Sequence, residues 1–60
     1  MKTYTHKIKG GEYFIITLAI YKTNNADTLA IVYKNTQDEV FIRDYKDFKT
    51  KFKILKHNLS

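Results

Sequence analysis

The sequence predicts a mainly-β fold built as a small, curled, antiparallel sheet, and two observations predict it. Four short runs, over residues 4–9, 12–21, 28–34 and 39–43, are crowded with β-branched and aromatic side chains, the types that fit a half-buried pleated surface. Between them lie breaks with turn chemistry: the adjacent glycines Gly10 and Gly11, a polar cluster over residues 22–27 and another over residues 34–38. Short strands separated by turn signals favour a meander that curls into a small barrel.

The first run sets Tyr4, His6 and Ile8 on one face against Thr5, Lys7 and Lys9. Gly10 and Gly11 then read as a two-residue hairpin loop, because glycine accepts the positive φ that primed turns demand. The second run is the most apolar. Its face Phe14, Ile16, Leu18 and Ile20 is assigned to the core, while the opposite face, Tyr13, Ile15, Thr17, Ala19 and Tyr21, is not properly polar either. The third run sets Leu29, Ile31 and Tyr33 against Ala30 and Val32, and the fourth sets Val40 and Ile42 against Glu39, Phe41 and Arg43. The last third supports two readings. Tyr45, Phe48, Phe52, Leu55 and Leu59 recur at spacings of three and four, a helical stripe that Asp44 is placed to cap, giving one helix over residues 44–58. Against it, Lys51, Phe52, Lys53 and Ile54 alternate with strand period.

Composition bounds the function. Sixty residues leave room for one small domain, residues 1–60. A chain this short buries only about 60% of the surface its unfolded form exposes, yet 43% of its residues are apolar, with five Tyr and four Phe, so a small core can form. Cysteine is absent, which excludes a disulfide, a thiolate zinc site or a redox pair. No run of eighteen apolar residues exists to make a membrane-spanning helix. Residues 1–6 lead into no apolar stretch of the signal-peptide kind, so a cytoplasmic domain is expected.

Catalysis needs a polar constellation held in a dry, concave site, and the inventory for one is thin. His6 reads as a histidine at the core edge, Asp38 and Glu39 as turn acids, and Asp44 and Asp47 as local caps. Two distant histidines without a thiol make a poor metal set. The expectation is therefore no catalytic residue, no metal, no cofactor and no enzyme.

Lys9-Gly10 with Tyr13, then Ile31-Val32-Tyr33, then Val40-Phe41-Ile42-Arg43 with Phe48 five positions after the arginine occur in this order along the chain. In these stretches, which span residues 6–48, the chain resembles a small bacterial and phage family, one of the numbered domains of unknown function. That family reads H-x-K-G-x-x-Y, then V-V-Y, then V-W-V-R-P-x-x-x-F. Here His6 lies one residue too far upstream, Phe41 replaces the tryptophan, Asp44 replaces the proline, and a glycine-rich loop is missing. The resemblance implies a barrel similar to SH3 folds, with about five strands. A short helical turn over residues 44–49 then leads into a strand over residues 51–56, and the single helix over 44–58 remains the alternative. The family has no established activity, so the resemblance implies none.

Non-catalytic binding is the function expected. The second and fourth runs carry more apolar side chains than one interior can hold, and an uncovered surplus marks a protein interface. Tyr13, Ile15, Tyr21, Tyr33 and Phe41, with Arg43 beside them, are the candidate protein-binding residues. The partner would be another protein, either a host protein or a second copy in a homodimer, with no membrane involved. Small size and a Lys/Asn/Ile-rich composition fit a phage-encoded modulator or inhibitor of a host or defence protein. Closure by the C-terminal segment, through Phe48, Phe52, Ile54 and Leu59, is the bland alternative. The functional alternative is a small basic nucleic-acid-binding barrel. Formal net charge is +5, of which residues 44–60 carry +3, and Lys46, Lys49, Lys51, Lys53 and Lys56 are its candidate phosphate contacts. Whether those lysines converge beside exposed rings separates the two readings. Arg43 either pairs with Asp44, Asp47 or a loop carbonyl to fix the following turn, or clamps a carboxylate or phosphate.

Overall fold

A computed structural model describes residues 2–57, with the backbone alone at His57. The chain forms β1 (Lys2–His6), β2 (Gly10–Lys22), β3 (Asp27–Asn35), β4 (Val40–Asp44), α1 (Tyr45–Lys51) and β5 (Phe52–His57). The strands make one five-stranded sheet in the order β4-β3-β2-β1-β5, with every neighbouring pair antiparallel. The mainly-β, five-stranded expectation therefore holds. The two outer strands do not pair with each other, so the sheet is not a closed barrel.

Its curl follows from simple lengths. Five strands laid flat put their outer members about 19 Å apart, whereas a helix as short as α1 reaches only about 10 Å. Yet α1 carries the chain from one edge to the other, and the Arg43 guanidinium at the end of β4 lies 5.5 Å from the Phe52 ring at the start of β5. The sheet must bend to bring these together. The side carrying α1 is the inner face.

Helix and strand share the C-terminal third. The helical stripe is honoured as far as Lys51; Phe52 turns extended at φ −121° and ψ 153°, and strand alternation prevails from there because β1 offers an edge to pair with. The Lys7 N–H donates to the Lys51 carbonyl at 2.8 Å, pinning the switch. A single helix over 44–58 is thereby overturned, and the short helix sits one to two residues beyond the predicted turn. Asp44 makes no side-chain cap, and Leu59 lies outside the described residues.

Two local features shift the predicted faces. The first turn is not at the glycines: it occupies residues 7–9, because His6 Nδ1 accepts from the backbone N–H groups of Ile8 at 3.1 Å and Lys9 at 3.0 Å. Ile8 is left exposed, and Gly10 and Gly11 begin β2 at φ +74° and +87°. A Cβ at Gly11 would also meet the Tyr13 ring at 3.4 Å. Gly11→Ala is expected to cost about 1–2 kcal/mol through its positive φ, read as a lower thermal midpoint.

The second feature is a register shift between Ile15 and Thr17, which leaves Ile16 as the extra residue of a β-bulge. Side chains alternate strictly along a strand, so one inserted residue reverses every face beyond it. Tyr13 and Ile15 thus share the inner face with Leu18 and Ile20, opposite Asn35, Tyr33, Ile31 and Leu29. The predicted core row of Phe14, Ile16, Leu18 and Ile20 is broken in the middle: Ile16, Leu18 and Ile20 are all exposed.

The core is instead a small aromatic cluster. Ile31, Tyr33, Phe48 and Phe52 are buried, with Tyr4 and Tyr13 packed against them. Phe48 and Phe52 stack at 4.3 Å with planes 4° apart. Tyr4, Tyr13, Tyr33 and His6 meet this pair in T-shaped contacts at 5.0–5.4 Å, an arrangement aromatic quadrupoles favour.

Candidate functional site

The β2–β3 hairpin outruns the helix that covers it. β2 has thirteen residues, roughly 43 Å of strand, against seven in α1. Only the proximal part of the inner face is roofed. Distal to it, Leu18 is 55% exposed, Ile20 58% and Leu29 38%. Beside α1 this surface deepens into a groove of about 360 Å³, lined among others by Ile15, Leu18, Tyr45, Lys49 and Ile54. Its walls are mostly apolar, with Lys49 and Lys53 also contributing to the lining, and the Lys49 ammonium lies 5.4 Å from the Tyr45 ring. A site so built can take up apolar side chains, and it offers no polar constellation for chemistry.

The predicted protein-binding residues are not gathered on one surface. Tyr33 is 3% exposed and belongs to the core. Tyr13 packs on Tyr33 and Phe52 at 5.9 and 5.1 Å, and Arg43 is half-buried. Ile15 and Phe41 are exposed on the inner face, whereas Tyr21 is exposed on the opposite one. Alternation alone assigns Leu18 and Ile20 to the core and sets Leu29 on one face with Ile31 and Tyr33. Strand length was the available signal: a run apolar on both faces and longer than anything that could roof it.

Arg43 serves the fold. Its Nε donates to the Tyr33 hydroxyl at 3.1 Å and its Nη1 to Asp47 Oδ2 at 2.6 Å. Lys51 Nζ reaches the other Asp47 oxygen at 3.1 Å. This is the pairing role expected for Arg43, with Asp47 as the partner. Hydrogen bonds from Arg43 and Lys51 hold the Asp47 carboxyl below its ordinary range. Nearby, burial lowers the His6 imidazole below its ordinary value, reinforced by Lys9, Arg43 and Lys51 and opposed by Asp47. With Nδ1 accepting two N–H groups, the neutral ring carries its proton on Nε2.

These shifts set two pH windows. An unfolded chain takes up the His6 proton near its free value of about 6.5, before the folded chain does. Stability therefore falls as pH drops through about 6.5 and levels off below the lowered folded value. Asp47 contributes stability that is complete above about pH 3.9 and is lost as pH falls through its lowered folded value. His6→Asn, whose Oδ1 is positioned to accept from Ile8 and Lys9, is expected to remove the upper slope in urea midpoints.

The five candidate lysines scatter. Lys46, Lys49 and Lys51 lie on α1, and Lys51 is tied to Asp47. Register places Lys53 and Lys56 opposite Thr5 and Thr3, on the outer face. Lys51, expected to open the strand over residues 51–56, is instead the last residue of α1. Among the described residues no cluster of His, Asp or Glu could hold a metal ion, and no helix is long and apolar enough to cross a membrane. No protein-family model, curated protein or solved structure matches the chain.

Proposed function

We propose that this chain is a non-catalytic binding module that acts through protein–protein contact. The observation that carries the reading is the distal inner face, where Leu18, Ile20 and Leu29 stand exposed in a continuous row with the groove beside α1. Contiguous apolar patches on a small chain are a cost in water unless a partner covers them. A four-stranded meander whose short helix returns the fifth strand beside the first also resembles an SH3-like barrel left open. Under the same proposal the chain is a cytoplasmic relative of the small bacterial and phage family, and its partner is a host or defence protein that it modulates.

Capture from native cells, with and without nuclease, tests this reading against the nucleic-acid one. A partner retained after nuclease and lost with the double variant Leu18→Ser, Ile20→Ser is expected. A partner released by nuclease would overturn it and favour the lysine-based alternative.

A further inference from the structure

We propose that β4 is a self-pairing edge, through which two copies of the chain join antiparallel with Phe41 at the two-fold axis. This deepens the protein-contact reading above by committing one surface to one partner, a second copy.

The two sheet edges are built differently. On β5, Lys53 and Lys56 are exposed and a register shift falls at Leu55. Lysines and bulges are devices that stop an open edge from pairing. β4 has neither. Its register runs unbroken from Val40 to Asp44, its sequence Val-Phe-Ile-Arg-Asp holds no lysine, and Val40 and Ile42 are 60% and 62% exposed. One edge is blunted and the other is left ready to extend.

Hydrogen-bond phase selects how it extends. The Asn35 N–H donates to the Glu39 carbonyl at 3.1 Å. Hydrogen-bonded pairs recur at every second position of an antiparallel ladder, so Tyr33–Phe41 and Ile31–Arg43 continue that series. The backbone groups of Val40, Ile42 and Asp44 therefore point outward. A partner strand must bond those residues, and a second β4 can do so in few registers. With Phe41 opposite Phe41, Val40 meets Ile42 twice through outward N–H and C=O groups, and Glu39 meets Arg43 at each end on the inner face. Shifting the axis to Ile42 would set Val40 against Asp44, an apolar side chain against a carboxylate. The Phe41 register alone sets apolar side chains opposite apolar ones along the whole outward row.

The chain has no cysteine, so single-cysteine variants report the register cleanly. Residues facing each other in a non-hydrogen-bonded pair have Cα atoms about 4.5 Å apart, within disulfide reach; diagonal neighbours at about 7–8 Å are beyond it. Under oxidised glutathione, Phe41→Cys is expected to form a covalent dimer, whereas Val40→Cys and Ile42→Cys remain uncross-linked. The unmodified chain should show twice its 7.1 kDa mass in solution at micromolar concentration, and Ile42→Lys should restore the single mass. Ile42→Pro, which removes an outward N–H without touching the ladder to β3, should do the same. A single mass at every concentration, a dimer indifferent to both Ile42 variants, or faster cross-linking at residue 40 or 42 would each overturn the proposal. None of these touches capture through Leu18 and Ile20, so this edge can fail while the groove reading stands.

Discussion

Phe52→Ala is expected to unfold most of the population at room temperature. The ring is 5% exposed, stacks on Phe48, and makes T-shaped contacts with His6, Tyr13 and Tyr33. Truncating a buried phenylalanine costs about 3–5 kcal/mol, and a core of this size rarely supplies more than about 3–5 kcal/mol in total. The loss is magnified by position, because Phe52 is also where α1 ends and β5 begins. Phe52→Leu keeps most of the volume and should stay folded with a lowered midpoint. Far-ultraviolet circular dichroism during a thermal scan distinguishes the two. A cooperative transition in Phe52→Ala within a few degrees of the unmodified chain would show that the aromatic cluster is not what holds the sheet.

The next largest loss is expected from Arg43→Ala, about 2–3 kcal/mol in urea unfolding. Hydrogen bonds to charged groups contribute about 1.5–3 kcal/mol, and this guanidinium makes one to Asp47 and one to the Tyr33 hydroxyl. Its removal leaves Asp47 with Lys51 alone and takes the cation away from the Phe52 ring. Arg43→Lys should recover only part, since one ammonium cannot reproduce two fork contacts and a face-on approach to a ring. Recovery to the unmodified midpoint by lysine would mean that charge, not geometry, is what this position supplies.

Much of the architecture was legible because it rests on local chemistry. β-branched and aromatic runs became strands in the order read, and Val40 to Arg43 paired on the third strand without irregularity. The pairing of Arg43 with Asp47 was readable too, because the chain turns directly after the fourth strand and brings the first acids of the next element back beside its last cation. What failed to show was decided by single residues acting on the backbone. His6 builds a turn with its own ring nitrogen, displacing the hairpin from the glycines, and no periodicity reports that. Ile16 resembles its neighbours in every property except that nothing on β3 faces it. The faces of β2 were misread for that reason: the surplus of apolar side chains was evident, but which of them face the helix depended on one unpaired residue.

That unpaired residue is what keeps the two halves of β2 facing the same way. Without Ile16 the strand would run Ile15 inward, Thr17 outward and Leu18 inward, so its loss would restore a regular ladder and leave Leu18 and Ile20 beside the groove. Kept in the chain but drawn into plain alternation, Ile16 would instead send Leu18 and Ile20 outward and hand the groove to Thr17 and Ala19. Among descendants of this chain, a codon lost at this point would spare the adhesive surface, whereas a change that flattened the strand without shortening it would redraw what the molecule can adhere to.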